Sequence, residues 1–242
     1  MKNKNLDPGW NFDNTYSSLP SFMFSSVKPV PVRNPKLVFF NDELSKELGL
    51  DFSFIQKNDL SNLFSGNFIP KGSNYIAQAY AGHQFGHFTI LGDGRAVLMG
   101  EQITPTKKKL DIQLKGSGRT PYSRNGDGRA TIGSMMREYL ISETMFGLGI
   151  PTSRSLAVVK TGEKIKREEI LDGAILTRVA SSHLRIGTFQ YLAIKEDYES
   201  MKKLVKYSLA RHYPECAIVG NEAITLLKCV IERQISLIVN WM

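Results

Sequence analysis

Two copies of the pentapeptide Gly-Asp-Gly-Arg-Ala, at 92–96 and 126–130, stand either side of Lys115, which closes the run Asp111-Ile112-Gln113-Leu114. Glycine lets a backbone come close to a ligand, and arginine and lysine carry charge matched to phosphate oxygens. Glu138 follows in a segment with apolar residues at helical spacing, and Arg178 and Arg185 come later. A polyphosphate site is the chemistry these residue types suggest. Around the second pentapeptide, Gly116, Gly118, Gly126 and Gly128 share one loop with Arg119, Arg124 and Arg129. Backbone N–H groups freed by glycine, beside guanidinium groups, can cradle an anion.

Each feature also has a plainer reading. Asp-Gly is common in hairpins, and the first pentapeptide is expected to be a hairpin turn whatever else it does. Lys115 and Glu138 have the order of the strand lysine and helix glutamate that pair in protein kinases, where the lysine holds nucleotide phosphates. No Gly-x-Gly-x-x-Gly-x-Val loop or Val-Ala-Ile-Lys is present, so spacing alone leaves a surface lysine and an ordinary helical glutamate open. Arg178 and Arg185, taken unaided, read as salt-bridge partners more readily than as ligands. His83 and His87 are four apart but have Gly86 and no carboxylate between them, which is not a metal-site pattern.

The elements that must position these residues read as follows. Residues 1–40 hold five prolines and a set of aromatics, Trp10, Phe12, Tyr16, Phe22 and Phe24, which suggests an extended arm that packs on something. Asn41 is a candidate N-cap for a short helix ending at Gly49. Residues 54–72 read as loop with a short helical piece. Strands are expected at 88–91, 96–99 and 110–114, the last delivering Lys115. A long polar loop, 116–129, leads to a helix over 131–146, whose Ile132, Met135, Met136, Tyr139 and Leu140 recur near one face. Strands at 155–160 and 174–179 are joined by a charged connection, 161–169. Helices follow over 191–211 and from 221 onward. That last segment is strongly apolar but interrupted by Lys228, Glu232 and Arg233, so a buried helix is expected rather than a membrane span. With Met242 falling inside its pattern, truncation of a longer domain is the expectation.

Composition narrows the class. At 242 residues the chain can bury a sizeable core. Its net charge of +8 is spread out apart from Lys107-Lys108-Lys109, which has no interleaved aromatics and reads as a solvated turn, so no nucleic-acid partner is expected. Cys216 and Cys229 lack CxxC spacing, which argues against a disulfide framework or a zinc site. The N-terminus lacks signal- or transit-peptide character, and no apolar run reaches spanning length. A cytoplasmic protein without membrane attachment is the default.

With these residues in place, the chain resembles the selenoprotein O family, also known as YdiU. The motifs that carry the likeness are YAGHQFGHF from Tyr80, LGDGRA from Leu91, LKGSGRTPYSR from Leu114, GDGRA from Gly126, REYL from Arg137 and SHLRIGTF from Ser182, with FDNTY and LGLD nearer the N-terminus. The resemblance implies an α+β, protein-kinase-like fold: a small β-rich lobe with a key helix, followed by the start of a helical lobe that is incomplete here. Residues 1–75 would be a family-specific extension, 76–180 the nucleotide-binding lobe and 181–242 the beginning of the helical lobe. It implies an enzyme that transfers AMP from ATP to Ser, Thr or Tyr hydroxyls of acceptor proteins.

Carried over by motif, the nucleotide contacts fall on Gly92, Gly94, Arg95, Lys115, Asp127, Gly128, Arg178 and Arg185, with Glu138 as the helix partner of Lys115. The resemblance thereby turns the two later arginines into ligands. It also implies Mg²⁺ or Mn²⁺, whose protein ligands, like the catalytic base, are expected in a segment beyond residue 242. No catalytic or metal-ligating residue is therefore assigned within the chain. The alternative is a catalytically inactive nucleotide-binding fragment or decayed pseudoenzyme.

Overall fold

A computed structural model describes residues 7–84, 86–216 and 221–242. The first six residues, on which the reading of the N-terminus partly rests, and Phe85 of the first family motif lie outside the described residues. In chain order the strands are β1 (Phe24–Ser26), β2 (Lys36–Phe40), β3 (Ile76–Gln78), β4 (Ala81–Gln84), β5 (His87–Ile90), β6 (Ala96–Ile103), β7 (Lys109–Lys115), β8 (Ala130–Thr131), β9 (Arg154–Lys166) and β10 (Ile170–Ala180). The helices are α1 (Asp42–Glu47), α2 (Lys57–Phe64), α3 (Ile132–Gly147), α4 (Ile186–Ile194), α5 (Tyr198–His212) and α6 (Glu222–Trp241). The main antiparallel sheet runs β1-β3-β6-β7-β10-β9-β2, with β8 paired to β10, while β4 and β5 form a separate hairpin. The fold is α+β and kinase-like, as expected.

Strand alternation gives the main sheet two different faces. On β7, Ile112 and Leu114 point to one side, where they join Val97, Met99, Ile175 and Val179 in the principal core. Residues 32–75 cover that side with Leu44, Leu48, Leu50, Phe52 and Phe64. The aromatic arm does pack: Trp10 stacks on Phe12 with ring centroids 5.0 Å apart, and Tyr16 is buried. Asn41 caps α1 as expected, its side chain accepting from the Leu44 N–H at 3.0 Å. The opposite side of β7 carries Asp111, Gln113 and Lys115. By register, Gln113 stands beside Leu98 on β6 and Arg178 on β10. On β7 this second face is polar, with Leu98 and Leu176 beside it, and it is the face that α3 and the 181–212 segment approach.

Several sequence expectations need correction. Gly92-Asp93-Gly94 is not a hairpin turn. β5 pairs back onto β4, and β6 pairs with β3 and β7, so the tripeptide is a crossing between two sheets. Asp93 explains why. It is buried, its N–H donates to Gln78 O at 2.9 Å, and its carboxylate accepts from Gln78 N–H at 3.1 Å. Residues 76–84, where no strand was expected, supply the strands that capture both neighbours. The 161–169 connection is shorter than expected, because β9 and β10 continue to Lys166 and from Ile170, with Lys160 and Lys164 each 2.7 Å from Asp172 across the ladder. The expected 191–211 helix is two helices. Glu196 has φ 53°, and Asp197 starts α5 afresh by accepting from Ser200 N–H at 2.9 Å. Lys107, at φ 62°, and Lys108 are exposed in the β6–β7 turn, in keeping with the solvated-turn reading, whereas Lys109 begins β7 and donates to Asp13 Oδ2 at 2.7 Å.

The last helix departs from its expected burial. α6 packs along α5 through Leu226 and Cys229, against Val205, Leu209 and Tyr213. Ile224, Leu227, Ile231, Ile235, Ile238 and Trp241 remain exposed. Among the described residues no helix is long and apolar enough to cross a membrane.

The same packing brings Cys216 and Cys229 together, as free thiols with sulfurs 2.7 Å apart, a proximity their spacing did not announce. Mild oxidation with diamide is therefore expected to titrate both thiols together and leave no free thiol in the denatured monomer. Replacing either cysteine with serine should leave the other reactive. Two independently reacting thiols would count against this packing.

Candidate nucleotide site

The polar face of the sheet gathers the principal predicted residues. Lys115 at the end of β7 donates to Glu138 Oε2 of α3 at 2.6 Å. Arg178 of β10 binds the other oxygen, Oε1, of the same carboxylate, and its Nη1 lies 3.5 Å from Gln113 Oε1. One glutamate thus holds two cations drawn from two strands. The helix can deliver it because Met135, Ile132 and Tyr139 of α3 pack on Val158, Ala174 and Leu176, which pins α3 across β9 and β10.

The electrostatics follow from this crowding. Burial of the Lys115 ammonium, then the charge of Arg178, pull its pKa below the ordinary lysine value, with Glu138 opposing them. Burial would raise the Glu138 carboxyl, but Arg178 and Lys115 outweigh it and hold the group below its usual range. Glu138 stays ionised, and a two-cation, one-anion cluster carries a surplus positive charge. A phosphate would complete it.

Arg185 joins from the loop after β10. Its Nη2 lies 3.8 Å from Asp93 Oδ1, and its guanidinium sits over the Tyr80 ring at 4.2 Å. Burial raises the Asp93 pKa, and Arg185, His183 and Arg178 pull against that rise, so all three cationic or ionisable side chains act on one carboxylate. Lys115 and Arg178 are thus joined through Glu138, while Arg185 is paired with Asp93. Arg95 precedes Ala96, the register partner of Lys115. Its side chain is exposed, with no hydrogen-bond or ion-pair partner among the described residues.

The glycine positions are tight. A Cβ on Gly92, at φ 147°, would lie 2.4 Å from the Tyr122 ring, and one on Gly94 would lie 2.7 Å from Tyr122 O. Gly128, at φ 68°, passes so close to Gly118 that a Cβ would sit 2.0 Å from its carbonyl oxygen. These glycines hold the 116–129 loop against the crossing at 92–94, helped by Thr120 Oγ1 donating to Asp93 O at 2.7 Å.

The arginines of that loop do not form the expected open cradle. Arg119 donates to Arg124 O, Arg124 to Ile90 O, and Arg129 to Val30 O while pairing with Glu163 at 3.1 Å. Asp127 is engaged by both Arg167 nitrogens, at 2.7 and 2.9 Å.

Sequence reasoning missed Gln113, Asp93 and Tyr80, and it missed a buried ionic cluster on the same face. Arg211 of α5 binds Asp111 and Glu101, and Glu101 also accepts from Thr15 Oγ1 and Tyr16 N–H at 2.7 and 2.6 Å. The available signal was Asp111-x-Gln113-x-Lys115, polar residues at every second position of an otherwise apolar strand. A cavity of about 620 Å³ opens at the far end of this face, among Lys107, Lys108, Arg211 and Arg233, away from Glu138. Among the described residues no three His, Cys, Asp or Glu side chains are placed to hold a metal ion. His83 and His87 lie on the β4–β5 hairpin, with His83 against Phe88.

A strand lysine bound by a helix glutamate in an α+β fold defines a kinase-like class of proteins. Within that class the chain belongs to the SelO family, whose profile, described as "Protein adenylyltransferase SelO", matches residues 9–242. The chain is 58% identical over 240 residues to a protein nucleotidyltransferase YdiU of Brevibacillus brevis, covering 99% of this chain and 49% of that protein. A YdiU of the same description from Nitrosococcus oceani is 57% identical over 239 residues, 99% and 48% of the two chains. One from Halalkalibacterium halodurans is 60% identical over 234 residues, 96% and 48%. The chain spans about half the length of the curated relatives it matches.

Proposed function

We propose that this chain provides the ATP-binding portion of a protein adenylyltransferase, an enzyme that moves AMP from ATP to a Ser, Thr or Tyr hydroxyl of another protein. The observation that carries the reading is the single carboxylate of Glu138 shared by Lys115 and Arg178. It holds two cations at fixed positions on the sheet and leaves them a net charge to offer. In this reading Lys115, Arg178, Arg185 and the exposed Arg95 bind the triphosphate, while Gly92, Gly94, Asp127 and Gly128 shape the loops beside it. Attack by a hydroxyl on the α-phosphorus breaks the bond to the β-phosphate and releases pyrophosphate. Cations fixed before the reaction stabilise the charge that builds on the phosphate oxygens.

ATP requires a divalent cation in such chemistry, Mg²⁺ or Mn²⁺, which would neutralise the triphosphate. The described residues do not by themselves make a site for it. The role proposed for them is the clamp. By this reading residues 1–242 bind ATP and do not transfer AMP on their own, and the whole enzyme acts in the cytoplasm on protein acceptors, without nucleic acid or membrane. Calorimetric titration with ATP should show saturable binding near one per chain. Incubation with α-labelled ATP and a protein acceptor should leave the acceptor unlabelled. Absence of ATP binding would remove the proposal, and labelled acceptor would remove the division of labour within it.

A further inference from the structure

Arg185 can grip a phosphate well only if its guanidinium is fixed in advance, and the loop that carries it is held at one point. The loop leaves β10 at Ala180, opposite Asp111 on β7, and returns to the same residue. Asp111 Oδ2 accepts two hydrogen bonds from His183, from the backbone N–H at 2.8 Å and from ring Nδ1 at 3.0 Å. Its other oxygen, Oδ1, takes Arg211. Burial would raise the Asp111 carboxyl, but the hydrogen bond from His183 and the charge of Arg211 hold it below its usual range. An ionised carboxylate only accepts, so the hydrogen lies on Nδ1 of His183.

His183 and Asp111 are both nearly inaccessible, and among the described residues the other ring nitrogen, Nε2, has no partner. The carbonyl of His183 then accepts from Arg185 Nε at 3.2 Å. That bond fixes the guanidinium plane over Tyr80, with Nη2 toward Asp93, and the side chain remains 37% exposed for a ligand.

We propose that His183 is a positioning residue for nucleotide binding: anchored to Asp111, it sets Arg185 in its phosphate-binding orientation. This rests on the reading of Arg185 as a triphosphate ligand. The physical gain is preorganisation. A free arginine must give up rotamer freedom when it binds, and an arginine held by its Nε has already done so. Since Asp111 and Lys115 lie on one face of one strand, the latch also ties Arg185 to the lysine across the site.

The test is ATP titration of the wild-type chain and of four variants: His183→Ala, His183→Asn, Arg185→Ala, and the double variant His183→Ala/Arg185→Ala. His183→Ala should weaken ATP binding about 3- to 10-fold, the scale of re-immobilising one rotamer-rich side chain. Arg185→Ala should weaken it by roughly tenfold or more. The double variant should bind no more weakly than Arg185→Ala, because the latch acts through that arginine. His183→Asn, whose amide can donate from the place of Nδ1, should recover most of the affinity.

An equal loss from His183→Ala in the Arg185→Ala background, or unchanged affinity beside a lowered melting temperature, would overturn the proposal. Amide hydrogen exchange over 184–188 gives a second readout independent of ATP. Faster exchange in His183→Ala, restored in His183→Asn, supports the latch, and unchanged exchange overturns it. If the wild-type chain binds no ATP, the functional reading falls, and the exchange measurement still decides the latch.

Discussion

Replacing Lys115 with methionine is expected to weaken ATP binding by about 10- to 100-fold, the loss that follows when a charged group's hydrogen bond of about 1.5–3 kcal/mol is removed. Methionine keeps the length and packing of the lysine stem and removes only the ammonium. Glu138 still has Arg178 as a partner, so no carboxylate is stranded. The fold should survive, because Lys115 is under strain from burial and from the charge of Arg178. Glu138→Gln makes the complementary case. The two cations lose their shared anion and repel each other, and affinity should fall although neither cation has been touched. Calorimetry or displacement of a fluorescent ATP analogue measures both, with thermal melts as the control for folding. Wild-type affinity in Lys115→Met would end the assignment of this cluster to the triphosphate.

The second large effect is expected on stability, from Arg211→Met. The Arg211 side chain is only 5% exposed and binds two buried carboxylates, Asp111 and Glu101, from adjacent strands. Removing one partner of a buried ionic cluster costs about 3–5 kcal/mol, because the remaining charges lose compensation in a poorly solvated place. For a chain of this size that corresponds to a fall in melting temperature of roughly 10 °C.

The effect should depend on pH in a definite direction. The folded-state pKa of Asp111 is depressed, so its stabilisation is fully present above the unfolded carboxylate pKa and is lost as pH falls through the depressed value. The gap between wild type and Arg211→Met should therefore be widest near neutrality and narrow in acid. An equal gap at every pH would mean that Arg211 acts through packing alone. Because Asp111 also anchors His183, the same variant should loosen the 184–188 segment.

These expectations show where sequence reading succeeded. β7, α3, β10 and the capped start of α1 were legible because each is dictated locally, by alternation, by helical spacing, or by Asn41 before an acidic first turn. Failures came where a distant partner decided the outcome. Gly92-Asp93-Gly94 looks like a hairpin to its neighbours, but the partner of β5 is β4 and that of β6 includes β3. The arginines at 119, 124 and 129 look like a phosphate cradle on paper. In the fold their donors are taken by carbonyls and by Glu163, contacts as much as 99 residues away in sequence. Asp197 capped a helix that apolar spacing alone had run straight through.

Residue types and order alone determined the family likeness, and the α+β class and the candidate nucleotide contacts followed from that likeness, because long motifs survive without knowledge of the fold. Tertiary structure alone decided that Lys115 and Arg178 share Glu138, that Asp93 faces Arg185, and that His183 returns to Asp111. Those pairings join residues 23 to 92 positions apart. A charge finds its partner through strand register and helix packing, and neither is written in the residues that flank it.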